Sequence, residues 1–311
     1  MSKEFTQAEW SDLLEDDCRQ LVRLAVREDL DRSFDWTTVA LVPEDSRGQA
    51  ALVTRQPGVL AGLRAIPSVI DELNADLVWS SGLPDGESVT PLTCLGVLEG
   101  SVRDLLVAER LILNLVGRMC GIATLTARFV SEVSGLISKV YDTRKTTPAY
   151  RRLEKYAVRC GGGWNHRGGL YEAVLIKDNH LDFGRTNDGR RFSPAEAVIA
   201  ARDFLKSTLP LTDAEAMILE IEVDSLDQLQ EVLPQQPDIV LLDNMTPDQL
   251  SQAVQLRNQA APLVELEASG GVTLQTIRAI AESGVNRISV GALTHAAASL
   301  DIGLDWVTEP H

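Results

Sequence analysis

"MILEIEVDSLDQLQEVLPQQPDIVLLDNMTPDQL", Met217 to Leu250, is the stretch on which the fold turns. Two short apolar runs, MILEIEV and DIVLL, flank LDQLQEVLPQQ, where apolar residues recur three or four apart. Runs of that length read as buried strands, and the segment between them as an amphipathic helix. Strand, helix, strand implies parallel strands joined by a crossover. Runs apolar on both faces imply a sheet covered on both sides.

The alternation continues outward. KVYDT and AVLIKDN precede the stretch, LVELEASGG and RISVGAL follow it, and TPDQLSQAVQLRNQ and TLQTIRAIAESG carry the helical spacing between the later runs. Six runs of this kind fit a βα barrel best, with an open doubly wound sheet as the alternative. Each run ends in polar or small residues: Asp142, Arg144 and Lys145; Lys177, Asp178 and Asn179; Glu222 and Asp224; Asp243 and Asn244; Glu267 and Ser269; Gly291 and Ala292. In a barrel the C-terminal strand ends form one face, and that face carries the active site.

The first third is different. Asp12 to Glu28 has helical apolar spacing, AALVTRQPGVLAG reads as strand, Pro-Gly turn and strand, and EGSVRDLLVAERLILNLVGRMCGIATLTARFVSEV reads as helix with a break expected near Gly117 or Gly121. These segments form a mixed α/β unit of about 120 residues, an ordinary domain length.

Charge locates the chemistry. The 311 residues carry a net charge of -16, which argues against nucleic acid or an anionic membrane as partner of the whole surface. Between Asp142 and His180, however, eight Lys or Arg face four acids. Guanidinium and ammonium groups at strand ends suit carboxylate and phosphate ligands. Arg144, Lys145, Arg167 and Lys177, at strand ends or beside glycines, are assigned to that role, with His166 lining the same site. Arg151, Arg152, Lys155 and Arg159 are read as a solvated helix face paired with Glu154. Glu222 and Asp243 close successive strands, as a pair suited to Mg²⁺, directly or through water, or to sugar hydroxyls. Ala268 to Gly271 (ASGG) and Val290 to Ala292 expose backbone N–H groups where barrels often hold phosphate. Gly161 to Gly163 form no dinucleotide fingerprint and are read as a close approach or tight turn.

The N-terminus shows no secretory signal, no stretch reaches the roughly 20 apolar residues of a membrane span, and Cys18, Cys94, Cys120 and Cys160 lack metal or redox spacing. A cytoplasmic chain with reduced thiols is expected.

DTRKTTPAYRRLEKYAVRCGGGWNHRGGLYEAVLIKDNH resembles the signature block of the quinolinate phosphoribosyltransferases, also called carboxylating nicotinate-nucleotide pyrophosphorylases. The likeness extends through EIEVDSLDQL, IVLLDNM, LEASGGV and ISVGALTHAAASLDIGLD, and upstream through DWTT, GVLAG and ERLILNLVGRMCGIAT. It implies an N-terminal α/β sandwich (1–121, joined by 296–311) and an incomplete, about six-stranded α/β barrel (122–295). It also implies transfer of phosphoribosyl from phosphoribosyl pyrophosphate to quinolinate, with Mg²⁺, giving nicotinate mononucleotide, CO₂ and pyrophosphate in NAD biosynthesis. Carried over by position, Thr143, Arg144, Arg167 and Lys177, with Arg110 and His166, would serve quinolinate. Lys145 would lie between the carboxylates and the phosphoribosyl group. Lys145, Lys177, Glu222 and Asp243 would be the catalytic set, Glu222 and Asp243 would hold the metal, and Ser269, Gly270, Gly271, Gly291 and Ala292 would hold the 5'-phosphate. A homo-oligomer, dimer or hexamer of dimers, is implied, with Arg110 supplied across the interface. Two positions depart from the pattern: Cys120 stands where serine is expected, and FDWTT lacks the glycine before its aspartate. The competing readings of the same residues are a Schiff-base lyase or aldolase using Lys177 or Lys145, and a non-catalytic anion-binding protein.

Overall fold

The computed structural model describes residues 3–307. The first elements are α1 (Asp12–Leu30), α2 (Trp36–Leu41), β1 (Arg47–Thr54), β2 (Gly58–Val59), α3 (Ile66–Leu73), β3 (Leu77–Ser80), β4 (Ser88–Val89), β5 (Cys94–Ser101) and α4 (Val102–Glu132). Next come β6 (Lys139–Tyr141), α5 (Arg151–Cys160), β7 (Ala173–Ile176), α6 (Asp178–Phe183), α7 (Pro194–Thr208), α8 (Leu211–Ala216), β8 (Ile218–Val223) and α9 (Leu226–Val232). The chain continues with β9 (Ile239–Asp243), α10 (Pro247–Ala260), β10 (Glu265–Ser269), α11 (Ile277–Glu282), β11 (Arg287–Ser289), α12 (Ala292–His295) and β12 (Ile302–Trp306).

The residues fall into two compact units. The first contains residues 3–7, Arg128–Arg144 and Trp164–Ala292, and the second contains Ala8–Ala127, Lys145–Gly163 and 293–307. The division differs from one made at residues 121 and 295, because residues 145–163 belong with the second unit. The reason lies in their contacts: the Tyr156 hydroxyl donates to Asp85, Arg152 pairs with Asp17, and a Cβ on Gly161 would stand 2.3 Å from the Ala123 carbonyl of α4.

The first unit is a six-stranded parallel sheet in the order β6-β11-β10-β9-β8-β7. Its first strand pairs with its last, while β6 and β7 are not paired among the described residues. That is the order of a barrel cut once, and it lacks the reversal of a doubly wound sheet. Register fixes which residues share the interior face. Ala173 pairs Ile218 and Leu175 pairs Glu220; Glu222, Leu241 and Glu267 are in register, as are Asp243 with Ser269 and Ser289 with Tyr141. Phe5 closes the lower interior by packing with Tyr141, Ala173, Ile218 and Ile239. Arg287, 1% exposed, is held there by Glu4 and Glu265.

The second unit holds an antiparallel sheet in the order β12-β1-β5-β3 and the small pair β2-β4. Leu14, Cys18 and Val22 of α1 and Val69 of α3 are buried. α4 is one continuous helix, which corrects the break expected at its glycines. Gly117 and Gly121 instead let the 298–300 segment cross at close range: the Leu300 N–H donates to Gly117 O at 2.9 Å, and a Cβ on Gly121 would lie 2.0 Å from Ala298 O. Gly121→Ala is therefore expected to cost about 1–3 kcal/mol by overpacking. Gly82→Ala, with no atom within 4 Å of its Cβ, should leave the urea midpoint unchanged.

Candidate active site

Side chains two residues apart on a strand share a face. Glu222, Asp243 and Ser269 therefore continue the interior columns of Glu220, Leu241 and Glu267 to the C-terminal strand ends. Lys177, just past β7, joins them, its Nζ donating to Glu222 Oε2 at 2.7 Å. The Asp243 carboxylate accepts from Asn244 Nδ2 at 2.7 Å. Among the described residues this face thus presents an ammonium and two carboxylates, all from residues expected in the site.

Arg144 and Arg167 come from the segments that follow β6 and precede β7. Arg167 is buried, and its Nη1 donates to Ala173 O at 2.8 Å. Burial first, and then the charge of Arg144, lower the affinity of its guanidinium for the proton. Arg144 Nε is buried with no hydrogen-bond partner among the described residues. Two guanidiniums close enough to repel, one with an unmatched buried donor, are the kind of pair that an anion would stabilise. Asp142, in contrast, is structural. Its carboxylate is fully buried and accepts from Asn165 Nδ2 at 2.7 Å and from the His166 N–H at 2.9 Å.

His166 differs from the sequence expectation in its engagement. Its ring lies in the interior, stacked on Phe5 at 4.3 Å. Nδ1 accepts the Arg167 N–H at 2.8 Å, and Nε2 stands 3.1 Å from Glu220 Oε2 and 3.5 Å from Glu267 Oε1. Both nitrogens are directed at protein groups. The sequence signal for Glu220 was present but unread: it lies two residues before Glu222 in the same strand and so shares its face.

Glu267 is fully buried, and its ionisation is pushed up to about 7, first by burial and then by the charge of Glu220. The folded chain keeps this proton at pH values where an unfolded glutamate has lost it. Stability contributed by the group should fall as pH rises from the ordinary glutamate range to about 7, then level off. Urea midpoints between pH 5 and 8 should show this slope, and Glu267→Gln should flatten it.

The loops after β9 and β10 lock together. Gly270 and Gly271 have φ of 99° and 57°, the Asn244 N–H donates to Ser269 O at 2.9 Å, and a Cβ on Gly270 would lie 2.1 Å from Asn244 Oδ1. Only glycine fits at 270. Gly291 and Ala292 follow β11, and Thr143 follows β6, each just beyond a strand end.

Arg110 and Lys145 belong to the second unit, where both are exposed. Helix α5 is not the solvated face expected from its charges. Leu153 to Val158 are all buried, Glu154 completely. Glu154 accepts from Arg118 Nη2 at 2.7 Å, Thr147 Oγ1 at 2.9 Å and Thr147 N at 3.1 Å. The Thr294 hydroxyl holds Lys145 O at 2.7 Å, and Arg118 donates to Thr294 O and Ala297 O. A buried clamp therefore fixes the backbone on which Lys145 is carried. Cys120, the departure noted above, is also accommodated, its Sγ donating to Ala61 O at 3.3 Å inside the core. Asp35 of FDWTT caps α2 by accepting from the Thr37 and Thr38 N–H groups.

A six-stranded parallel barrel sheet whose strand ends gather guanidiniums, an ammonium and carboxylates is the framework of an enzyme that handles small anions. The chain belongs to the quinolinate phosphoribosyl transferase family: the family's N-terminal domain matches residues 35–120 and its C-terminal domain residues 122–305. It is 40% identical over 299 residues to the nicotinate-nucleotide pyrophosphorylase [carboxylating] of Mycobacterium leprae, covering 95% of this chain and 99% of that protein. It is 34% identical to the chloroplastic protein of the same name from Arabidopsis thaliana, over 94% of this chain and 84% of that one. The solved nicotinate-nucleotide pyrophosphorylase of Francisella tularensis superposes with a TM-score of 0.85 at 34% identity, covering 98% of this chain and 100% of that one. No helix among the described residues is long and apolar enough to cross a membrane.

Proposed function

We propose that this chain transfers the phosphoribosyl group of phosphoribosyl pyrophosphate to quinolinate and releases pyrophosphate and CO₂, forming nicotinate mononucleotide. The observation that carries this reading is the neighbouring pair Arg144, with its buried Nε, and Arg167, on a barrel sheet that also ends in Lys177, a set of cations that suits a ring bearing two carboxylates. Thr143 lies beside Arg144 in the same strand-end segment. Ser269, Gly270, Gly271, Gly291 and Ala292 would take the 5'-phosphate through backbone N–H groups.

Glu222 and Asp243 are hard oxygen donors at the ends of the neighbouring strands β8 and β9, and they fit Mg²⁺. When bound there, directly or through water, the ion would neutralise the pyrophosphate. The residues themselves supply the remainder. The two carboxylates favour the positive charge that builds on ribose as the leaving group departs. Arg144, Arg167 and Lys177 hold the ring with its nitrogen aimed at the anomeric carbon and keep water from the adjacent carboxylate as it is lost. Lys145 and Arg110 enter the proposal from the sequence resemblance, Arg110 as a group supplied by a second copy in a homo-oligomer. We place the reaction in the cytoplasm, a reducing compartment in which the four unpaired cysteines would stay thiols.

The Schiff-base alternative is disfavoured at Lys177, because its ammonium is held by Glu222 rather than presented as a free amine. The test is release of CO₂ and pyrophosphate by purified protein, dependent on both substrates. Turnover of nicotinate in place of quinolinate, or borohydride trapping of a carbonyl substrate on Lys177, would overturn the reading.

A further inference from the structure

Below the strand-end face lie three ionisable side chains to which the proposed reaction gives no direct part: His166, Glu220 and Glu267, with exposures of 6%, 0% and 0%. Neither oxygen of Glu220 nor Oε2 of Glu267 has a hydrogen-bond partner among the described residues. The remaining oxygen, Glu267 Oε1, accepts from the Ser289 hydroxyl. Burying two such carboxylates is expensive, so their retention calls for a reason.

One candidate is a divalent cation, since an imidazole nitrogen and a carboxylate oxygen from each glutamate lie within 4.8 Å of one another. The histidine tautomer argues against it. Nδ1 accepts an N–H, so the ring proton sits on Nε2, the atom that would have to bind the ion. A metal-bound histidine has the reverse arrangement, with its outer nitrogen donating to an acceptor.

The tautomer points instead to Arg167. If the ring turned over, Nδ1 would leave the Arg167 N–H and strip a buried donor of the acceptor it has here. The two carboxylates favour the Nε2–H edge on their side and so select the orientation in which Nδ1 meets that N–H. The Arg167 backbone is fixed at this point, and its guanidinium is fixed at Ala173 O.

We propose that Glu220 and Glu267 are positioning residues: by holding the Nε2 edge of His166 they set the Arg167 peptide, and through it the guanidinium that receives a substrate carboxylate. This rests on the assignment of Arg167 to quinolinate made above. His166 then acts as a spacer between the interior acids and the arginine.

Simple electrostatics predicts the opposite result, which makes the test decisive. Removing a negative charge beneath an anion site should, by Coulomb attraction alone, tighten quinolinate binding. Positioning requires that Glu220→Leu and Glu267→Leu weaken it. The expected result is a quinolinate KM raised by about tenfold, a phosphoribosyl pyrophosphate KM within about twofold of the parent, and largely retained kcat. Glu220→Gln and Glu267→Gln should restore most of the loss, because the amide oxygen can still turn its negative end toward the Nε2–H edge. His166→Phe, which keeps the stack on Phe5 but removes Nδ1, should reproduce the defect, and His166→Asn, whose amide oxygen can replace Nδ1, should relieve it. The histidine pair keeps the test open if the leucine variants do not fold.

Titration of quinolinate alone into each variant by calorimetry should show the same fold-change. Leucine variants that bind quinolinate as well as or better than the parent would overturn the proposal, as would equal rises in both KM values. A Zn²⁺- or Mn²⁺-dependent rise in Tm that Glu267→Gln abolishes would also overturn it, in favour of a metal. A parent chain that binds quinolinate but releases no pyrophosphate would remove the reaction proposed above while leaving this inference to be decided by calorimetry.

Discussion

Arg144→Ala is expected to raise the quinolinate KM by about 30- to 150-fold, the equivalent of about 2–3 kcal/mol for charge-assisted hydrogen bonds to a carboxylate. The size follows from its surroundings. Arg144 is flanked by Arg167, and its Nε is buried without a partner, so the side chain is held ready for an anion at some cost to the free protein. Arg152, in the same basic stretch of sequence, is the control. It pairs with Asp17 at 2.5 Å with 41% of its side chain exposed, an arrangement worth less than about 1 kcal/mol. Arg152→Ala should leave both KM values and kcat close to those of the parent. Initial-rate kinetics with each substrate varied in turn separates the two cases, and comparable losses in both variants would remove Arg144 from the substrate site.

The largest stability effect is expected at Arg118. Glu154 is completely buried, and Arg118 is its cationic partner at 2.7 Å. Arg118→Ala leaves a buried carboxylate with only the Thr147 donors, and breaking a buried pair from one side costs about 3–5 kcal/mol. It also removes the donor to Thr294 O and Ala297 O. Urea unfolding should show a correspondingly lower midpoint with little change in slope. Replacing both charges, Arg118→Met with Glu154→Leu, should recover part of the loss. A single variant as stable as the parent would show that Glu154 is not held as a charge.

The strands of the barrel sheet were legible because a doubly covered strand must be apolar on both faces, and all six runs are strands. Their wrap from β6 to β11 was not, since register and closure depend on pairings remote in sequence. Lys177, Glu222 and Asp243 were readable as polar residues ending apolar runs. What misled the reading was charge without burial. The pattern RRLEKYAVR looks like a solvated helix, yet Glu154 and Lys155 are buried, the glutamate because Arg118, supplied by another helix, neutralises it. Gly117 and Gly121 looked like helix breakers and proved to be clearance for a crossing chain. His166 was read as lining the basic site, and its ring lies on Phe5 against Glu220 and Glu267. Its tautomer, and hence its direction of action, depends on hydrogen-bond partners that no spacing reveals.

The pairing of β1 with β12 has a consequence for synthesis. β1 leaves the ribosome early, yet one of its two neighbours in the sheet, β12, is the final strand of the described chain. Until that strand emerges, one edge of β1 has only solvent to satisfy its backbone groups, the condition that favours pairing with another molecule. A chain that lacks residues from Ile302 onward would therefore hold an open edge on β1. Purified chains truncated before Ile302 should be cut by protease in β1, and chains that run through Trp306 should be protected.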